Sequence, residues 1–246
     1  MIQETQYISQ SPEIKSIIKN LTLTQSLFIS SILIGEKHTG KQALIRSLFP
    51  KSIYVDGNNI DELTKALDTY NEVIIYNFET IQNISQLNFE NKRIIAIANQ
   101  VQNSSLIEEK FAFIYHMPPL RERMEDVQLL IEHYSQKISH ALMIENPRPI
   151  ALERVDLSEN IKSLKASIYK QLITANLEAE EIEQILFEYL YKHMEGNNAY
   201  REHIALYERP LIQAGLAKFK SQLKLSSVLG LNRNTLRKKI HEHHLD

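Results

Sequence analysis

The 246-residue chain carries 28 Lys and Arg against 30 Asp and Glu, a formal charge of −2, with 43% hydrophobic residues and no cysteine. This composition is that of an ordinary globular protein with room for more than one domain, and it excludes disulfides and thiolate metal sites. No run approaches the ~18 apolar residues of a membrane span, and the polar start MIQETQYISQ lacks an apolar targeting core, so the expected location is cytoplasmic.

The first predicted element is a helix over SPEIKSIIKN, capped by Ser11 with Pro12 at its first position and ending near Asn20. LFISSILI, Leu27 to Ile34, is a short apolar, β-branched run that reads as a buried strand. It passes directly into GEKHTGKQ, Gly35 to Gln42, and then into the amphipathic ALIRSLF. Strand, glycine-containing loop, Gly-Lys and helix is the context in which backbone N–H groups converge on phosphate oxygens, with the helix dipole adding to them. Gly35, Gly40, Lys41 and Gln42 are therefore candidate nucleotide-binding residues, with Lys41 reaching the β- and γ-phosphates. Gln42 stands where a Mg²⁺-binding Ser or Thr is usual, which weakens the reading as a working NTPase.

Further strands follow at the spacing of an α/β fold: SIYV (Ser52 to Val55) before a helical DELTKAL, EVIIY (Glu72 to Tyr76), RIIAIA (Arg93 to Ala98) and FAFIYH (Phe111 to His116). The expectation is a mostly parallel sheet covered on both faces. A hydrolysing P-loop enzyme needs Asp-Glu at the end of an apolar strand after the loop, to hold Mg²⁺ and activate water. Here VIIY runs into Asn77 and Phe78, with Glu79 one place late, so no catalytic residue is assigned.

From Pro119 onward the pattern is helical. Arg121 to Ile144 and Ile161 to Ala175 read as helices joined by the loop NPRPIALERVD. Ala179 to Gly196 has apolar residues at Ile182, Ile185, Leu186, Tyr189 and Leu190, one helix face. Gly196-Asn197-Asn198 is a break, giving expected domains of 1–118, 119–196 and 197–246. Tyr200 to Lys220 is again helical, with Pro210 and Gly215 either separating two helices or kinking one.

The last helices read as a helix-turn-helix: Leu223 to Leu229, a turn over Gly230 to Asn232, then a second helix with Leu236 and Ile240 on its inner stripe. Gly230 suits a turn that needs positive φ, and Asn232 is an N-cap that also counts among the candidate DNA-binding residues. Arg233, Asn234 and Arg237 are candidates for base edges, since arginine pairs bidentately with guanine and asparagine with adenine. Gln222, Lys224, Thr235, Lys238 and Lys239 are candidates for phosphate contacts. From Arg209 onward the chain has eight Lys or Arg and two acids, a net +6, while the first 208 residues carry −8. That asymmetry points to a nucleic-acid-facing module on an otherwise acidic body, and with the helix-turn-helix the expected partner is double-stranded DNA. His241, His243 and His244 lack ligand spacing, and no metal site is expected.

Several of these stretches, in order, resemble the NtrC-type, sigma-54-dependent bacterial transcription activators, in which an AAA+ domain precedes a Fis-type DNA-binding domain. GEKHTGKQ is similar to their GESGTGKE loop, with His38 replacing a glycine, and RIIAIAN to their RIIAATN. MPPLRERMEDVQLLIEHY, Met117 to Tyr134, resembles their LPPLRERxEDI segment, and LSENIKSLK their PGNVRELEN stretch. The run from Ala199 to Ile240 resembles the Fis domain over its whole length. The resemblance implies an α/β P-loop (AAA+-like) parallel-sheet domain, an all-α lid and an all-α Fis-type helix-turn-helix domain. It also implies a polar sensor role for Asn99, a second-sensor position for Lys162, ATP as the nucleotide with Mg²⁺ only as its companion, and a homodimer through the Fis-like helices.

The departures bear on function. Only about thirty residues lie between Gln42 and the VIIY strand, and the GAFTGA string that engages the sigma factor in the family does not occur. Leu106 to Met117 contains no arginine to act as a finger. The expectation is a nucleoid-associated, sequence-specific regulator with a degenerate ATPase-like domain, no sigma-54 contact and no upstream receiver. A nucleotide-dependent AAA+ ATPase and a Fis-like architectural DNA-bending protein stay open as alternatives.

Overall fold

The computed structural model describes residues 7–27, 29–101 and 104–245. β1 (Ser31–Ile34), β2 (Ile53–Asp56), β3 (Glu72–Tyr76), β4 (Arg93–Ala98) and β5 (Phe113–His116) form one sheet. Its order is β2-β3-β4-β1-β5 and all four pairings are parallel. β1 lies at the centre, Leu33 facing Ile97 on one side and Tyr115 on the other. The chain leaves β1 and crosses to the far edge before returning, so the C-terminal ends of β1 and β4 border a crevice where ligands of open α/β sheets bind.

Strand alternation sorts the apolar side chains into two cores. Ile32, Ile34, Ile94, Ala96, Val73 and Ile75 face one side of the sheet. There they meet Leu63, Ala66 and Leu67 of α3 (Ile60–Thr69), whose N-cap Asn59 accepts from Glu62 N–H at 3.2 Å. Leu33, Ile74, Ile95 and Ile97 face the other side. They pack on Ile14, Ile17 and Leu21 of α1 (Pro12–Leu23) and on Leu44 and Ile45 of α2 (Lys41–Leu48). Burial on both faces explains why these strands read as continuous apolar runs. Each fully buried Ile or Leu contributes about 1.5–3 kcal/mol.

Several elements differ from the sequence expectation. The first strand begins at Ser31, because Thr24–Ser26 is a 3₁₀ turn whose Thr24 carbonyl accepts from Leu27 N–H at 3.0 Å; Phe28 lies outside the described residues. A short helix, α4 (Ser104–Lys110), precedes β5. The last predicted strand loses its first two residues, since Phe111 N–H donates back to Ile107 O and its ring packs edge-on against Phe78 and Phe89. Between α2 and β3 the chain forms only β2 and α3.

The lid consists of α5 (Met124–Ala141) and α6 (Ile161–Ala175). Leu120, Val127, Leu130, Ile131 and Ile138 pack on Leu164, Ile168 and Leu172. α5 starts at Met124 rather than Arg121, because residues 120–122 form a 3₁₀ turn.

The chain divides into two units, Met1–Asn176 and Leu177–Asp246. The second contains α7 (Ala179–His193), α8 (Ala199–His203), α9 (Ala205–Phe219), α10 (Gln222–Val228) and α11 (Arg233–Glu242). α7, grouped with the lid by sequence, thus clusters with the C-terminal helices. Its Glu178 and Glu181 form a reciprocal capping box. α9 runs unbroken through Pro210, and the break in the expected helix falls earlier, at Ile204 between α8 and α9. Ile212, Leu225, Leu236 and Ile240 form the core of α9, α10 and α11. Among the described residues no helix is long and apolar enough to cross a membrane.

Candidate nucleotide pocket and helix-turn-helix surface

The loop between β1 and α2 turns through two left-handed residues, His38 with φ 61° and Gly40 with φ 99°. Gly40 is the N-cap of α2 and offers no side-chain acceptor. The first-turn N–H groups of Lys41, Gln42 and Ala43 are therefore not capped by it, and helix termini of this kind favour anions. The left-handed conformation of His38 costs ~1–2 kcal/mol that glycine avoids. Against glycine's own entropic cost of ~0.5–1 kcal/mol, His38→Gly is expected to stabilise the protein by roughly 1 kcal/mol. An unchanged or lower urea midpoint would show that the imidazole compensates.

Lys41 is only 6% exposed. Its amine donates to Gly35 O at 2.7 Å, Glu36 O at 2.6 Å and Asn99 Oδ1 at 3.2 Å. Burial pushes this amine down to about 8, against the pull of the Glu79 and Glu36 carboxylates. Asn99 completes a chain: its side-chain N–H donates to Glu79 Oε1, and its backbone N–H to Glu79 Oε2 at 3.2 Å. Sequence left Glu79 out of register, yet the 3₁₀ turn over Phe78–Thr80, entered through left-handed Asn77, points Phe78 into the core and Glu79 to Asn99. Asn77 itself donates to Asp56 Oδ1 at 3.0 Å.

A cavity of about 790 Å³ opens over this loop, lined among others by Lys37, Gly40, Lys41, Gln42, Asn77, Asn99, Tyr134, Lys162 and Lys165. Of the six candidate nucleotide residues, Gly40, Lys41, Gln42, Asn99 and Lys162 line it, while Gly35 serves through its carbonyl. Lys162 also pairs with Glu159 at 2.7 Å on the surface. Glu36 holds the loop to the lid, accepting two bonds from Arg121 and one from Asn160, which keep its carboxyl down at about 2.

Sequence reasoning missed the residues that brace the loop from behind. Arg123 and Asp126, 1% and 0% exposed, pair at 3.1 Å. Arg123 also donates to Thr39 O in the phosphate loop and to Tyr7 Oη at 3.3 Å. Asp126 accepts from Ser9 Oγ at 2.9 and 2.8 Å and from the backbone N–H groups of Gln10 and Ser11 at 2.6 and 3.1 Å.

In the C-terminal unit, Gly230 is left-handed at φ 63° in the turn between α10 and α11. The Asn232 side chain caps α11 by accepting from Asn234 N–H at 2.9 Å. Arg233, Asn234, Thr235, Arg237 and Lys238 are exposed, as are Gln222 and Lys224 at the start of α10, the latter over the Phe219 ring. Lys239 differs from the expected pattern. Its ammonium pairs with Glu208 of α9, whose carboxylate also contacts His243 at 3.3 Å. Glu208 is held below its ordinary pKa, first by the Lys239 hydrogen bond. Lys239 is thus already paired within the unit, because helix periodicity carries it to the flank of the inner stripe.

These features define a class: a P-loop AAA+-type α/β domain with a helical lid, followed in the chain by a helix-turn-helix. Residues 204–243 match the family described as bacterial regulatory protein, Fis family. The DNA-binding transcriptional regulator NtrC of Azospirillum brasilense is 32% identical over a 163-residue alignment covering 51% of this chain and 34% of that protein. NtrC of Bradyrhizobium sp. (strain RP501 Parasponia) is 28% identical over 196 residues, covering 61% and 41%. The crystal structure of NtrX from Brucella abortus in complex with ATP has the same fold, with a TM-score of 0.52 and 14% identity over 96% of this chain and 69% of that one. More particularly, then, the chain carries an NtrC-like AAA+ domain followed by a Fis-family helix-turn-helix. It spans 34% to 41% of the length of these two curated relatives.

Proposed function

We propose that the chain is a sequence-specific, DNA-binding regulator of transcription, acting as a homodimer, whose AAA+-like domain has lost ATP hydrolysis. The observation that carries this reading is the solvent face of α11. Asn234 and Lys238 lie opposite the buried Leu236 and Ile240, with Thr235 and Arg237 on either side, and no acid occurs between Glu208 and Glu242. Such a helix suits the major groove, arginine and asparagine reading bases and lysines holding phosphates. Dimerisation is supported by an apolar groove of about 500 Å³ between α7 and α9, lined by Ile182, Ile185, Tyr189, Leu206, Tyr207 and Leu211. Two recognition helices about one DNA turn apart then read an inverted repeat.

Loss of hydrolysis is argued from Gln42, Asn77 and Phe78, and loss of sigma-54 contact from the missing GAFTGA segment. The aligned stretch of the Azospirillum relative is longer than the matched part of this chain, which agrees with a shortened insert. Selection of sites from a random duplex pool tests the function: an enriched inverted repeat supports it, whereas equal affinity for all duplexes favours an architectural protein. On the selected site, Lys238→Ala is expected to reduce the slope of log K against log salt by about one. Lys239→Ala, already paired with Glu208, is expected to leave that slope nearly unchanged; a drop equal to that of Lys238 would place Lys239 on phosphate after all.

The cavity over the phosphate loop supports a second role, nucleotide binding as a signal. Lys41 starts from a depressed pKa of about 8, and a phosphate anion beside it would raise that value. Binding therefore takes up a proton, and ATP affinity is expected to fall as pH rises through about 8. Calorimetry in buffers of different ionisation heat checks this; no proton uptake at that pH would detach Lys41 from the phosphates.

A further inference from the structure

We propose that the cavity takes a nucleoside polyphosphate without a divalent cation, its lysines supplying the charge that Mg²⁺ supplies in other P-loop proteins. This rests on reading the cavity as a nucleotide pocket, and it starts from a misfit between the side chains present and the metal the fold implies. A P-loop protein holds Mg²⁺ through a hydroxyl after the loop lysine and a carboxylate at the end of the neighbouring strand. Here the first position is Gln42, a neutral amide. At the second, Asn77 has its amide engaged by Asp56, and Phe78 is fully buried in the core.

The remaining acids are committed elsewhere. Both oxygens of Glu79 accept from Asn99. Glu36 is taken by Arg121 and Asn160, and Glu159 by Lys162. Among the described residues no carboxylate lines the cavity, and no cluster of three or more His, Asp or Glu could hold a metal ion. Hard, octahedral Mg²⁺ depends on such oxygens and gives up its water reluctantly.

The positive charge comes instead from the protein. Lys37, Lys41, Lys162 and Lys165 all line the cavity. Lys41 is buried at its floor, and Lys165 is held over the Tyr134 ring with its nitrogen 4.4 Å from the centroid. Lys41, being buried, acts on an anion more strongly than it would in bulk water, while the exposed Lys37 and Lys165 add charge at the rim. A chelated nucleotide would bring a dication in among these ammonium groups while lowering its own negative charge. Chelation thus opposes binding here.

The test is ATP binding to the wild-type chain by calorimetry, in EDTA and in excess Mg²⁺. The expected result is binding in EDTA that is at least as tight as in Mg²⁺, with inorganic triphosphate competing. Lys37→Gln together with Lys165→Gln is expected to weaken the EDTA-state affinity by about tenfold per charge removed, ~1.4 kcal/mol each, and the Mg²⁺-state affinity by less. Binding seen only with Mg²⁺, or about tenfold tighter with it, overturns the proposal while leaving a nucleotide pocket. No binding in either condition overturns the nucleotide reading itself and this inference with it. The wild-type comparison decides the matter even if the double variant fails to fold.

Discussion

Asp126→Ala is expected to lower the stability of the N-terminal unit by about 3–5 kcal/mol, the range for removing one partner of a buried ion pair. The reason lies in what the carboxylate serves. It neutralises Arg123, which is 1% exposed, and it accepts backbone N–H groups of Gln10 and Ser11. Loss of the carboxylate leaves a buried guanidinium uncompensated and two backbone donors without this acceptor, each costing ~1–3 kcal/mol when buried. Asp126→Asn keeps one acceptor oxygen at nearly the same volume and is expected to lose clearly less. In thermal unfolding the alanine variant should melt on the order of 10 °C lower, at ~2–4 °C per kcal/mol for a unit of this size. A melting point within ~2 °C of wild type would mean that the network contributes nothing net, and that Arg123 finds water on relaxation.

The same network marks the boundary of what local pattern can reveal. EVIIY and RIIAIA appear as strands residue for residue, because burial on both sheet faces writes itself as uninterrupted β-branched runs. The phosphate loop was legible because its glycines and lysine are contiguous. Arg123 and Asp126 sit in the legible string LRERMED, yet their partners are Thr39, Tyr7 and Ser9 to Ser11, more than eighty positions away. Nothing in the string says where its charges turn. Glu79 was hidden differently: counting along β3 places Phe78 where an acid belongs, and only the left-handed turn at Asn77 brings Glu79 to Asn99. α4 was missed because Leu106 and Ile107 are followed at once by Glu-Glu-Lys, too short a run to show a period. On α11, spacing identified the inner stripe, but the pairing of Lys239 with Glu208, 31 residues earlier, needs the packed helices.

Arg237→Ala is expected to weaken binding to the selected DNA site by roughly ten- to a hundredfold per recognition helix, the value of one good bidentate base contact at ~1–3 kcal/mol. Arg237 follows Leu236 by about 100° around α11, which places it beside the buried stripe, on the flank that faces outward. It is exposed. Arg237→Lys keeps the charge and the phosphate attraction but not the planar fork, so it should recover binding to random duplex without recovering preference for the selected site. That split separates a base-reading arginine from one that only holds the backbone. The size of the loss also reports oligomeric state. A monomer forfeits one contact, whereas a dimer on an inverted repeat forfeits two, so its loss in free energy approaches twice that of a half-site duplex. Equal losses on full site and half site would argue for a single helix on DNA, and unchanged affinity in Arg237→Ala would move base reading to Arg233 and Asn234.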